Sequence, residues 1–112
     1  MYKSNKSEFV KKPVIYIAGK VTGEDIKACK EKFSKAEFIL RRKGYHTINP
    51  LRLCPPDSNW ESAMKMCIRN LIECDAIYML NDWEESRGAK VEHYIATQLG
   101  LQEIREEKIY VA

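Results

Sequence analysis

The chain has 112 residues, enough for one domain built around one hydrophobic core. Its composition, 45% hydrophobic and 31% charged, is that of an ordinary globular protein, and a net charge of +3 with dispersed lysines and arginines gives no cause to expect a nucleic-acid partner. No apolar run approaches the ~20 residues of a membrane span, and the polar start, with Lys3, Lys6, Lys11 and Lys12, does not read as a secretory signal, so a cytoplasmic protein without membrane contact is expected.

Residues 1–12 read as a flexible leader and 13–112 as the domain. Pro13-Val14-Ile15-Tyr16-Ile17-Ala18 is a short continuous apolar run, as suits a strand buried on both faces of a parallel sheet. It ends in the polar loop Gly19-Lys20-Val21-Thr22-Gly23. From Glu24 to Lys43 the chain reads as a helix, with Ile26, Cys29, Phe33, Ala36 and Leu40 on one face, acidic residues at its start and basic ones at its end. Tyr45 to Ile48 is a second strand, closed by Asn49-Pro50. A loop follows through Pro55-Pro56-Asp57-Ser58. The next helix should begin near Ser58 or Asn59, with Trp60, Met64, Cys67, Ile68 and Leu71 as its apolar face.

Asp75 to Leu80 is a third strand. A polar loop from Asn81 to Glu85 leads to Ser86, which should cap a helix running through Leu99 and ending at Gly100. Lys108-Ile109-Tyr110-Val111 reads as the last strand. The order β-α-β-α-β-α-β predicts an α/β fold: a single three-layer domain with a parallel sheet of four to five strands, right-handed crossovers and helices on both faces, flavodoxin-like in plan. Four cysteines, Cys29, Cys54, Cys67 and Cys74, form no CxxC pair. They read as small apolar residues, with no metal site, disulfide framework or cofactor implied.

Ligands of open α/β sheets bind beyond the carboxyl ends of the strands. Two loops there carry candidate groups. The first, Gly19 to Gly23, has neither the spacing of a Walker motif nor that of a dinucleotide fingerprint. It reads either as a plain turn or as a cradle in which Gly19, Lys20, Thr22 and Gly23 hold a sugar or phosphate. The second contributes Asp82, Trp83, Ser86, Arg87 and Gly88 at the start of the third helix, where free N–H groups make an anion site. Ser86 is equally an ordinary cap. In that helix Gly88, Glu92, Ile95, Ala96 and Leu99 share one face. Glu92 therefore falls on the packed side. It is either a nucleophile or base in a desolvated pocket, or a solvated or lysine-paired residue on a slightly rotated face. His46 and His93 join no triad or HExxH pattern.

Three segments together resemble one family. Tyr16-Ile17-Ala18-Gly19 with Thr22-Gly23, Cys74 to Leu80, and Ser86-x-Gly88-Ala89-x-x-Glu92 are similar to the first strand, third strand and catalytic-helix start of the nucleoside 2-deoxyribosyltransferase superfamily. The likeness extends nearly over residues 13–111 and is nearest to a branch of small phage and bacterial proteins related to deoxynucleoside monophosphate N-glycosidases. The resemblance implies a Glu92 nucleophile acting on the anomeric carbon of a deoxyribosyl group, oriented by Tyr16. It also implies a sugar and 5′-phosphate grip from Ser86, Gly88 and the first loop, and a homodimer or larger homo-oligomer. Apart from the resemblance, the place of Asp82 and Glu84 in the loop after the third strand makes either one a candidate acid for the leaving base. Lys20 and Arg87 favour a phosphorylated substrate. Two positions depart from the family: Cys67 stands where an Asp is usual, and a thiol does not replace a carboxylate as donor or acceptor, and Lys20 stands where related N-glycosidases carry a small hydroxyl residue. A nucleotide-binding module without turnover is the second reading. A response-regulator-like domain fits poorly, since Gly19-Lys20 stands where clustered acidic residues would be needed.

Overall fold

Four parallel strands, β1 (Val14–Ala18), β2 (His46–Ile48), β3 (Ala76–Met79) and β4 (Gln102–Arg105), form one sheet in the order β2-β1-β3-β4. The computed structural model describes residues 12–55 and 57–107. Three helices connect the strands: α1 (Ile26–Arg42), α2 (Trp60–Leu71) and α3 (Arg87–Gln98). From β1 the chain steps one way to β2, then reverses across β1 to β3 and on to β4. Right-handed crossovers therefore put α1 on one face of the sheet and α2 and α3 on the other.

The alternation of side chains along β1 serves both layers. Ile15 and Ile17 pack with Phe33, Ala36 and Leu40 of α1. Tyr16 and Ala18 face the other way, among Cys67 and Leu71 of α2 and Ala89 and Ala96 of α3. The helix starts are fixed by side-chain caps. Asp25, Asn59 and Ser86 accept from the backbone N–H of Ala28, Ser62 and Ala89 respectively.

Several sequence readings change in detail. The expected leader lies outside the described residues apart from Lys12, as does the strand expected at 108–111; the described fourth strand is instead Gln102–Arg105. Its polar sequence fits an edge strand, exposed along most of its length. Ile26 and Leu99, expected on packed faces, are 72% and 55% exposed because each lies at a helix end beyond the sheet's cover. Among the described residues no helix is long and apolar enough to cross a membrane.

At the carboxyl end of the sheet, Leu80 donates its N–H to the Ala18 carbonyl at 2.9 Å, and its side chain lies over Gly19. A Cβ on Gly19 would come 2.5 Å from Leu80 Cδ1 and 3.0 Å from its Cβ. Leu80 is fully buried and has little room to yield. Gly19→Ala should therefore destabilise the fold by about 1–3 kcal/mol. The denaturant midpoint measures this, and an unchanged midpoint would show that Leu80 repacks freely.

Candidate functional site

The order in which strands are added reverses between β1 and β3, and a crevice opens there at the carboxyl ends of the strands, where ligands of such sheets bind. It is a cleft of about 510 Å³, within the range of small-molecule sites. Five stretches wall it, one of them the start of α1 with Glu24, Ile26, Cys29 and Lys30. Gly19, Val21 and Thr22 follow β1; Pro50, Leu51 and Cys54 follow β2; Trp60, Met64 and Cys67 come from α2; and Ser86, Gly88 and Glu92 come from α3.

Glu92 forms part of the floor and is 5% exposed. Tyr16, fully buried on β1, donates its hydroxyl to Glu92 Oε2 at 2.5 Å. The second carboxylate oxygen has no hydrogen-bond partner among the described residues, yet no buried polar atom there is left unsatisfied. That oxygen therefore opens on the cleft. Burial pushes the Glu92 carboxyl up to about 7, with the Tyr16 hydrogen bond partly opposing it. Burial, and then the Glu92 charge, hold Tyr16 well above the usual phenol range. Cys67 lies against both, and burial pushes its thiol up to about 12, so it is neutral at ordinary pH. The centre is thus one ionisable carboxylate flanked by two neutral donors.

The other candidates divide. Gly19, Thr22, Ser86 and Gly88 line the cleft with Glu92, while Lys20, Gly23, Asp82, Trp83 and Arg87 do not. Gly23 sits at φ +83° in the turn before α1. The Asp82 carboxylate is held in the structure behind the first loop: it accepts from the Lys20 N–H at 3.0 Å and from Lys32 Nζ at 2.5 Å. Lys32 also donates to the Lys20 carbonyl at 2.8 Å and to Glu24 at 3.1 Å. Burial pulls the Lys32 ammonium down, but its hydrogen bonds to Asp82 and Glu24 outweigh that and leave it raised. The Lys20 ammonium lies 3.9 Å from Glu24 and 3.8 Å from Glu85. Glu84 is exposed and outside the cleft. Trp83 packs beside β4, with His93 at 4.4 Å between ring centroids and Arg105 at 5.2 Å. The Arg87 guanidinium lies 4.0 Å from the centre of the Trp60 ring. The space a Gly88 Cβ would take is closed by Met64, whose Sδ would lie 3.0 Å away, so this glycine lets α3 close on α2.

Sequence reasoning missed the α2 wall and two supporting groups. Trp60 and Met64 read as core by their spacing, but they wall the cleft. Lys32 carried no signal, since its acceptors come from distant loops. Glu37 did carry one: it lies four residues after Phe33 and three before Leu40, on the buried face of α1. It binds Arg52 through both oxygens, at 3.0 and 2.9 Å, and this fastens the Pro50–Arg52 turn that forms one cleft wall. The Arg52 hydrogen bonds hold Glu37 below the usual carboxylate range, despite its burial. Among the described residues no cluster of three or more His, Cys, Asp or Glu side chains is placed to hold a metal ion.

Residues 13–104 match the model of a family described as "Domain of unknown function (DUF4406)". The chain belongs to the DUF4406 family. Among solved structures, its fold is similar to that of a 2-deoxyribosyltransferase from the psychrotolerant bacterium Bacillus psychrosaccharolyticus. The TM-score is 0.64 at 20% identity, over 87% of this chain and 77% of that one. That enzyme is described as a biocatalyst for the industrial synthesis of antiviral and antitumoral nucleosides. At such identity the likeness is one of fold. No curated protein matches the sequence. This DUF4406 chain therefore has the α/β fold of a 2-deoxyribosyltransferase, with a buried carboxylate in its cleft.

The raised Glu92 pKa makes a stability prediction. Unfolded, the carboxyl titrates near its ordinary value of 4.5; folded, it holds its proton to about 7. Between those values the folded state binds more protons, so stability falls as pH rises, and the full cost is felt above 7. Glu92→Gln removes this cost. Its melting temperature should exceed that of the wild type at pH 8, by an amount corresponding to something on the order of 3 kcal/mol. The gap should close near pH 4, and a gap independent of pH would place Glu92 in water.

Proposed function

We propose that the cleft holds a 2′-deoxynucleoside or its 5′-monophosphate and that Glu92 cleaves the N-glycosidic bond. The observation that carries this reading is the Tyr16–Glu92 pair, a desolvated carboxylate with one oxygen tied down and the other free toward the cleft. The free oxygen attacks the anomeric carbon as the bond to the base breaks, through an oxocarbenium-like transition state, and a glycosyl-enzyme forms. The base takes its proton from water in the open cleft, since the carboxylate of Asp82 is engaged by Lys32. Water or a second base then releases the sugar with net retention. Thr22 and Ser86 grip the sugar, and the free N–H groups of the first turn of α3 take its 5′ end. No resident metal or cofactor is needed. The reading goes with the small phage and bacterial branch of the superfamily, a cytoplasmic location and a homodimer or larger homo-oligomer. Exposed Val21 and Ile26 at the cleft mouth support such an assembly.

The second reading is a nucleotide-binding module of the same fold without turnover. Cys67 is the observation on its side, because a thiol raised to about 12 is a poor proton donor beside the reacting centre.

Incubation with each deoxynucleoside and each monophosphate, with free base followed by chromatography, separates the two. Base release should occur and be abolished in Glu92→Ala. Because the nucleophile must be ionised, the rate should rise with pH through about 7. Tyr16→Phe, which removes the hydrogen bond that favours the ionised form, should move that midpoint upward. Binding without release, in wild type and variant alike, would establish the module instead.

A further inference from the structure

We propose that Cys54 and Cys67 form a dithiol site in the cleft, which hydroperoxides oxidise to an intramolecular disulfide. Cys54 follows the Pro50–Arg52 turn and is half-buried, Cys67 lies on α2 and is 7% exposed, and both line the cleft. The Cys54 thiol donates to the Ala63 carbonyl at 3.8 Å. Ala63 stands one helical turn before Cys67, and a helical side chain leans back over the turn that precedes it. The Cys67 sulfur is thus directed to where Cys54 lies, and the two thiols are in side-chain contact. Cys54 also packs against the core cluster to which Cys67 belongs. Charged groups, not a second thiol, surround the other two cysteines. Cys29 donates to the Lys20 carbonyl at 3.7 Å beside Lys32, Glu24 and Asp82, and Cys74 donates to the Asn70 carbonyl at 3.3 Å beside Asp75 and Glu73.

Exposure divides the work between the two thiols. Cys54 opens on the cleft and meets the oxidant first. Its sulfur takes the terminal oxygen of the hydroperoxide, giving a sulfenic acid and an alcohol, or water from hydrogen peroxide. The Cys67 sulfur then attacks the Cys54 sulfur: the S–S bond forms, the S–O bond breaks, and the hydroxyl leaves as water with the Cys67 proton. The two thiols together lose two electrons to the O–O bond of the peroxide. Burial, more than any neighbour, pushes the Cys67 thiol up to about 12, so it resists free oxidant, and its contact with Cys54 makes the second step intramolecular. Cys67 lies against Tyr16 and Glu92. The bond therefore ties the wall after β2 to α2 across the corner of the cleft and narrows it beside Glu92.

Peptide mapping of the full-length protein tests the site, whatever the cleft's reaction. After a stoichiometric amount of hydrogen peroxide, alkylation and trypsin, each cysteine falls in a peptide of its own. Leu53–Lys65 should be joined to Met66–Arg69 in a product that migrates as one chain on a non-reducing gel, and dithiothreitol should separate them. Cys67→Ser should instead accumulate a sulfenic acid on Cys54, captured by a 1,3-diketone, and Cys29→Ser should give the same joined pair as the wild type. In the base-release assay, peroxide should slow the wild type severalfold and leave Cys54→Ser at its own reduced rate, and dithiothreitol should restore the wild type. Thiols left intact by peroxide, a different joined pair, or a wild-type Cys54 sulfenic acid that never closes would each overturn the dithiol site. Joined peptides without base release in either state would keep the site and overturn catalysis. Joined peptides with base release unslowed would keep the site and overturn the narrowing of the cleft.

Discussion

The hydrogen bond from Tyr16 to Glu92 joins the middle of β1 to the second turn of α3, 76 positions later in the chain. Much of the architecture is needed to bring these two side chains together. Tyr16 must face the α2 and α3 side of the sheet, which the alternation along β1 arranges, with Ile15 and Ile17 turned to α1. Helix α3 must lie on that same side, which follows from the strand order and the handedness of the crossovers. Its first turn must close against α2, which the missing side chain of Gly88 permits. The crevice at the switch between β1 and β3 then has this pair at its base.

Two carboxylates are buried among the described residues, Glu37 and Glu92, and their surroundings send them opposite ways. Glu37 on α1 meets Arg52 and Arg41, stays ionised, and fastens the turn after β2 to the helix. Glu92 on α3 meets a phenol and a thiol, neither of which is charged at neutral pH, and its own proton becomes labile near pH 7. The contrast separates structure from site. A buried carboxylate paired with arginine is an ordinary fastening for a loop, whereas one left among neutral groups beside an open cleft lowers stability and is held there only by the packing around it. The Lys32 network is a fastening of the first kind. It binds the loop after β1 to the loop after β3, and it holds Asp82 behind the cleft wall.

The α/β fold was legible because its signals are local. Short apolar runs marked β1 and β3, and spacings of three and four marked the helices. The fourth strand was not legible at Gln102–Arg105, because an edge strand covered on one side does not need an apolar sequence. Spacing placed Glu92 on the packed face correctly, and the same spacing marks Glu37. It could not say that the apolar face of α2 changes its role along its length: Leu71 lies in the core, Cys67 is buried where core and cleft meet, and Trp60 and Met64, at the other end, face the cleft. Nor could it distinguish the loop side chains. Thr22 and Ser86 reach the cleft, but Lys20 and Asp82 are drawn away by partners that only the folded chain brings near.

Cys67 bears on the chemistry in two ways. As a proton donor it is weak, which is a cost for a leaving base. As a neighbour of Glu92 it has the advantage of being uncharged. An aspartate at that position, if ionised, would place a like charge beside Glu92 and raise its pKa further, since like charges disfavour ionisation. With a thiol held neutral to about 12, burial is the one large force opposing the carboxylate, and the Tyr16 hydrogen bond offsets part of it. On the proposed reading, the chain gives up an acid for the leaving group and keeps a nucleophile that ionises near neutral pH. The expected substrates then shift toward those whose bases leave with a proton taken from solvent.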